Sequence, residues 1–130
     1  MNHIKVARRG LLAAAFAVGL MVLMAGPFSS SAVAHNELLK TDPAAKATVK
    51  ASPARIQFWF EEEPDMSVTK VMVKGPSGPV PATVHITSAK VLAADFKSKL
   101  APGEYTVTWQ TAGDDSHISK GQFSFTVAAQ

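Results

Sequence analysis

The sequence contains no cysteine, and this absence limits both its chemistry and its means of stabilisation. Thiolate metal sites and cysteine nucleophiles are excluded, and the core must hold without disulfides. The chain also has no glycine-rich phosphate loop, and no arrangement of serine, histidine and aspartate stands out as a catalytic triad. These absences direct attention to binding functions that use nitrogen and oxygen donors.

Residues 1–34 have the segment order of an export signal. Residues 1–10 carry three basic residues and no acid, and an apolar run follows over residues 11–25. This run is shorter than the ~20 residues that a membrane-spanning helix needs. Ala32-Val33-Ala34 then supplies the small-x-small pattern after which signal peptidase cuts. The sequence therefore predicts a signal peptide over 1–34 and a mature domain over 35–130.

The predicted cleavage removes the excess of basic over acidic residues in the chain. The whole sequence has 13 Lys and Arg residues against 10 Asp and Glu residues, which gives a formal net charge of +3. Three of the basic residues and none of the acids lie in residues 1–34, so the mature domain is formally neutral. It has no basic stripe of the kind that binds nucleic acid. We expect one small soluble domain with no nucleic-acid partner.

Period-two alternation dominates the mature chain and predicts an all-β domain. Apolar residues share one face of each predicted strand, in the sets Ile56/Phe58/Phe60, Val71/Val73, Val80/Ala82/Val84/Ile86, Leu92/Ala94/Phe96, Tyr105/Val107/Trp109 and Phe123/Phe125/Val127. A shorter pattern near Glu37–Lys40 predicts an early strand. About seven short strands separated by turn signals are typical of a Greek-key β-barrel or an immunoglobulin-like β-sandwich.

Two connecting segments carry further predictions. Residues 44–51 lie between Pro43 and Pro53, and we expect a loop or one short turn there. Leu100–Tyr105 is similar to the tyrosine corner of immunoglobulin-like sandwiches, in which the hydroxyl returns to nearby backbone.

Cleavage after Ala34 makes His35 the first residue of the mature chain. Its α-amine and imidazole can then close a chelate ring on a metal ion, which an internal histidine cannot do because its backbone nitrogen is an amide. Asp115 and His117 lie two residues apart between two predicted strands. If that segment is extended, both side chains face one point and Asp114 faces away.

The combined donors form a nitrogen-rich set without sulfur, which suits Cu(II) or Ni(II). Cu(II) has the higher intrinsic affinity, and Zn(II) is its main rival. Because the amine must lose its proton, binding weakens as the pH falls. The alternative for Asp115 and His117 alone is a polar loop in which an aspartate caps its own turn.

Two other polar features leave alternatives open. His85 is predicted on the polar face of its strand, as a solvated residue or as an additional ligand. The acidic run Glu61–Asp65 is predicted as a solvated loop, with a second weak cation site or a surface for a basic partner as its alternatives.

The mature chain resembles the CopC family of periplasmic copper-resistance proteins. The resemblance rests on pieces in a shared order after a signal peptide, namely His35, Thr41-Asp42-Pro43-Ala44, Phe60–Pro64, Pro102–Trp109, Asp115-Ser116-His117, Gly121 and Phe123–Val127.

This resemblance implies a Greek-key β-barrel and a single Cu(II) site formed by His35, Asp115 and His117. Some members also hold Cu(I) in a methionine-rich loop, which this chain lacks between Val71 and Val84. The implied function is an exported copper chaperone or buffer that is not an enzyme. Its location is the periplasm, or the cell surface in a Gram-positive organism. The implied partners are an inner-membrane copper importer or another periplasmic copper protein.

Two alternatives belong to other functional classes. A metal-free immunoglobulin-like interaction module explains the strands equally well. A histidine-brace copper enzyme with oxidative chemistry also uses an N-terminal histidine, but the proposed Asp115 ligand fills a position that oxygen chemistry needs open.

Overall fold

The computed structural model describes residues 36–130, which form nine strands in two β-sheets. The strands are β1 (Leu38–Asp42), β2 (Thr48–Val49), β3 (Arg55–Phe60), β4 (Lys70–Gly75), β5 (Gly78–Val80), β6 (Ala82–Ser88), β7 (Val91–Phe96), β8 (Gly103–Ala112) and β9 (Ile118–Val127). The predicted signal peptide and His35 lie outside the described residues. Over residues 36–130 there is no helix of the length and apolar character that crossing a membrane requires.

The two sheets pack as a sandwich, which confirms the all-β prediction. One sheet has the order β1-β3-β7-β6 and the other has the order β2-β9-β8-β4-β5. All strand pairs are antiparallel except β2 with β9. Strands β8 and β9 form a long hairpin that stays paired from Gly103↔Val127 to Ala112↔Ile118. The hairpin therefore carries residues 113–117 to one end of the sandwich.

The apolar faces predicted from alternation form the core between the sheets. Ile56 and Phe58 are completely buried, and Phe60 is 1% exposed. The ring of Phe60 meets Trp109 edge to face with centroids 5.4 Å apart, which confirms Trp109 as a core residue. Trp59 points to the other face of β3, where the Lys40 ammonium lies 4.3 Å from its ring centroid. Burial of the aromatic and aliphatic side chains of this core stabilises a domain that has no disulfides.

Two sequence predictions about strands are wrong in detail. The predicted single strand from Val80 to Ile86 is interrupted at Pro81, because β5 belongs to one sheet and β6 to the other. Proline has no N–H to give to a ladder, so it suits the crossing point. Residues 44–51 contain the two-residue strand β2 beside the end of β9. A two-residue strand of this kind depends on a partner strand that is distant in sequence. It is too short to show an alternation of apolar and polar residues.

The tyrosine corner is present. The Tyr105 hydroxyl donates a hydrogen bond to the Ala101 carbonyl at 2.6 Å, and its ring stacks on Phe125 at 5.4 Å. Gly75 lies against the same ring, where an added Cβ would come too close to the ring carbons. The corner thus joins the turn before β8 to the core and to the end of β4.

Replacing Tyr105 with Phe tests this corner. The ring remains, but the Ala101 carbonyl loses its donor, so we expect unfolding free energy to fall by about 1 kcal/mol. Urea unfolding of the metal-free mature domain measures the change, with Met72→Leu on the exposed face of β4 as the control. Equal urea midpoints for Y105F and the unmodified domain would show that the hydrogen bond from Tyr105 to Ala101 does not stabilise the fold.

Candidate metal centre

The loop between β8 and β9 is a tight turn and not an extended segment, which was the condition under which the sequence placed Asp115 and His117 on one face. The Ser116 N–H donates to the Gly113 carbonyl at 3.1 Å, and Ser116 has a φ of 60°, in the left-handed region. The His117 N–H donates to Asp115 Oδ1 at 3.0 Å. This last bond forms the aspartate-capped turn that the sequence analysis gave as the alternative to a metal site.

The turn nevertheless brings the Asp115 and His117 side chains together. His117 Nδ1 lies 3.2 Å from Asp115 Oδ2, and the two side chains are 61% and 31% exposed. Their convergence results from turn geometry and the left-handed Ser116 rather than from strand alternation. The assignment of these two residues as metal ligands stays a prediction.

The start of the described chain is fixed close to this loop by Asn36. The Asn36 side chain is completely buried, and its amide donates to the Glu62 carbonyl at 3.1 Å. In return the Glu62 N–H donates to Asn36 Oδ1 at 2.9 Å. The Glu61 N–H also donates to the Glu37 carbonyl at 2.9 Å. The residues before β1 are therefore held against the residues that follow β3.

The same glutamate reaches the β8–β9 loop. Glu62 Oε2 accepts a hydrogen bond from the Asp114 N–H at 2.8 Å. Gly113 lies so close that an added Cβ would overlap the Glu62 carboxylate and come within 3.2 Å of Asn36 Cβ. Three separate segments thus meet at one end of the sandwich. Asn36 does not stand out in the sequence, and Glu62 stands out only as a member of the acidic run, because nothing local marks contacts across 26 and 52 residues.

The acidic run is only partly the solvated loop expected from the sequence. Glu61 and Glu63 are exposed, whereas Glu62 is half-buried and hydrogen-bonded. The Asp65 N–H donates to the Ala112 carbonyl at 2.9 Å. The Ser67 hydroxyl and N–H both donate to Asp65 Oδ1, and these bonds lower the pKa of that carboxyl from its usual value. The run therefore supports the end of β8.

His85 belongs to a different cluster. It lies on β6, and its Nε2 is 3.7 Å from Asp95 Oδ2 on β7. Asp95 also pairs with Arg55 on β3, with 3.0 Å between Oδ1 and Nε. The His85 side chain is 42% exposed, in agreement with the prediction of a solvated strand histidine. Over residues 36–130 no group of three or more potential metal-ligating side chains converges.

Comparison with known proteins decides the family. The sequence model of the CopC domain family matches residues 38–128 of this chain, and this range includes every strand described above. The chain belongs to the CopC family.

Individual proteins are similar to this chain in sequence, and one solved structure is similar to it in fold. Protein YobA of Escherichia coli strain K12 is 31% identical over 112 residues, which cover 83% of this chain and 90% of that protein. Copper resistance protein C of Xanthomonas campestris pv. juglandis is 32% identical over 121 residues, with coverages of 85% and 94%. The crystal structure of PcoC from Escherichia coli, a methionine-rich copper resistance protein, matches with a TM-score of 0.66 and 30% identity over 72% of this chain and 99% of that one.

Replacing Gly113 with Ala tests the close packing at this end of the fold. Because Gly113 does not have a positive φ, the penalty arises from overlap with Glu62 and Asn36, and we expect a loss of about 1–3 kcal/mol. Urea unfolding of the metal-free domain measures it. The double variant G113A/E62A removes the overlapping carboxylate and should recover part of that loss. Purely additive effects would show that the two residues do not meet.

Proposed function

We propose that this protein is exported, is cleaved after Ala34, and then binds one Cu(II) ion through His35, Asp115 and His117. His35 contributes both its α-amine and its imidazole. Membership of the CopC family supports a role with copper, as do the relatives named copper resistance proteins. The protein would act in the periplasm as a copper chaperone or buffer in resistance or homeostasis.

The observation that carries this proposal is the position of Asn36. Consecutive Cα atoms are about 3.8 Å apart, so the residue before Asn36 cannot lie far from it. Asn36 Cβ is 3.2 Å from the point that a Cβ on Gly113 would occupy, and Asp115 follows two residues later. Chain connectivity alone thus keeps an amine on residue 35 within a few residue lengths of Asp115 and His117.

The geometry of the Asp115–His117 pair is also compatible with a bound ion. Two donors at ~2 Å from a metal and at right angles to each other lie about 2.8 Å apart. The observed separation of 3.2 Å between Nδ1 and Oδ2 is close to this value. The turn thus holds the two donor atoms at about the separation that two neighbouring ligands of one ion have.

The exposure of the pair supports a carrier rather than a permanent metal site. His117 is 61% exposed, at the end of the sandwich and outside the core. A ligand from another protein can reach an ion held there without any strand separating. Transfer to an inner-membrane copper importer or to another periplasmic copper protein would then proceed by stepwise ligand exchange.

The position of the N-terminus provides the sharpest test. Mature protein that begins at His35 should bind one Cu(II) and give a tetragonal EPR spectrum with several nitrogen ligands. One extra alanine before His35 converts the amine into an amide, so we expect the affinity to fall by at least ~100-fold. Competition titration with a chelator of known affinity measures this change. Mass spectrometry of the exported protein determines whether the natural chain begins at His35.

Variants of the side-chain ligands complete that experiment. His117→Ala and Asp115→Ala should each weaken binding, and His85→Ala serves as the matched control because His85 belongs to the Asp95 cluster. Equal affinities for the native and extended chains would rule out the N-terminal chelate. A loss confined to H85A would move the site to β6.

Thermal unfolding distinguishes this proposal from a metal-free interaction module. A ligand that binds only the folded state raises stability by about 2.7 kcal/mol when its free concentration is 100 times the dissociation constant. Adding Cu(II) to the mature domain should therefore raise Tm, and removing it with a chelator should reverse the increase. The extended chain, under the same conditions, should show a much smaller increase. An unchanged Tm for the mature domain would favour the metal-free module.

A further inference from the structure

A groove runs along one open side of the sandwich, between β1 and the first half of β9. β1 is the edge strand of its sheet, and β9 is bordered by β2 only at its far end. Residues 36–41 form one wall of this groove, residues 118–123 form the other, and Trp109 lies in its floor. Two large apolar side chains are exposed along it, Leu39 at 61% and Ile118 at 46%. We call this surface the edge groove.

The backbone of β9 directs hydrogen-bonding groups into the edge groove. On the same edge of the strand, the Ser124 carbonyl accepts a hydrogen bond from the Lys46 N–H at 2.6 Å. The direction of the backbone groups alternates from one strand residue to the next, and the β8–β9 ladder continues without a shift of register. The N–H and C=O groups of Ile118, Lys120 and Gln122 therefore face the groove. In the described part of the chain, none of these three residues has a backbone partner on that side.

The β1 wall is unsuited to pairing with an added strand. Leu38 pairs with Phe60 and Lys40 pairs with Trp59, so Leu39 is the extra residue of a β-bulge. Bulges interrupt the ladder and are a common means of protecting an edge strand. An added strand would therefore pair with β9, and Leu39 would contact its side chains from the opposite wall.

The floor of the edge groove favours apolar side chains on the inner face of an added strand. Trp109 packs so closely on Gly121 that an added Cβ would lie 2.8 Å from the indole ring. Leu38 and Phe123 are partly buried beside it and also line the groove. Since strand side chains alternate between faces, every second residue of an added strand would face this apolar floor.

Lys120 determines the charge that an added strand can carry on its outer face. Its side chain is exposed, in a cross-strand row with Gln110 and Lys70. If a second copy paired antiparallel about this residue, two Lys120 side chains would lie opposite each other, and directly opposed like charges are destabilising. Lysine on an edge strand thus opposes pairing between identical copies. An acidic residue opposite Lys120 forms a favourable cross-strand pair instead.

We propose that the edge groove binds an extended segment of a partner protein, in which apolar residues alternate with polar ones and an acidic residue lies opposite Lys120. The segment adds a strand to β9 at Ile118, Lys120 and Gln122. In such strand addition, main-chain hydrogen bonds supply affinity and the alternate side chains supply specificity. Asn36 and Ile118 lie at one end of the groove, so a partner docked there would be close to the copper site proposed above. The strand addition itself does not depend on that site.

Two peptides test the chemistry of the occupant. Each is a nine-residue peptide with blocked ends in which threonine and valine alternate, and either glutamate or lysine replaces the central threonine. We expect the mature domain to bind the glutamate peptide about tenfold more tightly than the lysine peptide, because the charge opposite Lys120 changes sign. NMR titration at low ionic strength measures both affinities, and added salt should reduce the difference.

Reversing the charge of Lys120 gives the matching test on the protein. Lys120→Glu should prefer the lysine peptide, because the glutamate peptide then meets a like charge. Lys70→Glu is the matched control, since Lys70 is exposed in the same row but two strands away from the groove. K70E should keep the preference of the native domain. An unchanged preference in K120E would overturn the role of Lys120.

Hydrogen exchange tests the pairing with β9. When the glutamate peptide binds, the N–H groups of Ile118, Lys120 and Gln122 should exchange more slowly, whereas those of residues 119 and 121 already face β8 and should change little. Gln122→Pro removes an N–H that faces the groove and leaves the ladder to β8 intact, as proline on an edge strand does. We expect Q122P to bind the peptide at least ~10-fold more weakly. Exchange in the native domain remains decisive if Q122P folds poorly.

Three outcomes would overturn the proposal. Equal affinities of the native domain for the two peptides would show that Lys120 does not select the partner. Binding without the alternating protection of Ile118, Lys120 and Gln122 would place the peptide away from the β9 edge. A dimer in sedimentation equilibrium that protects the same three N–H groups without peptide would make a second copy the occupant. Because none of these measurements needs copper, their failure is distinct from failure of the N-terminal chelate.

Discussion

Two hydrogen bonds between the side-chain amide of Asn36 and the main chain of Glu62 hold the start of the described chain against the end of β3. Asn36 is completely buried, so an unsatisfied amide would carry its full desolvation cost. The buried amide therefore favours the one arrangement in which both of its polar atoms are paired. Through the Glu62 carboxylate the same arrangement reaches the Asp114 N–H, and the position of the β8–β9 loop follows from it.

Alternation along the strands predicted most of the core, because the side chains of a β-strand alternate between the two faces. Ile56, Phe58 and Phe60 illustrate this, since all three are buried on a single face. Leu100 and Ala112 are also buried but lie outside the predicted sets. The crossing at Pro81 and the short strand β2 could not be predicted in the same way. Both depend on which distant strand lies alongside, and the residues concerned have a pattern that suits either sheet.

The candidate site was predictable only in part. The pairing of Asp115 with His117 was expected from their spacing, although a turn with a left-handed Ser116 produces it. The hydrogen bonds through which Asn36 and Glu62 hold the loop were not expected, because nothing in the sequence beside either residue shows that the fold brings them together. Their bonds join residues that are 26 and 52 positions apart, and local sequence patterns contain no information at that range.

The division of the proposed site between two chain segments also explains how binding can depend on export. Asp115 and His117 would supply two donors, and over residues 36–130 no three His, Cys, Asp or Glu side chains form a group that could hold a metal ion. A carboxylate and an imidazole alone hold a divalent ion weakly, so the amine and imidazole of His35 would supply the larger part of the affinity. The precursor has an amide at that position, and an amide nitrogen does not bind copper unless it loses its proton. Cleavage would therefore create the site outside the cytoplasm, next to a loop in which Gly113 lies against Asn36.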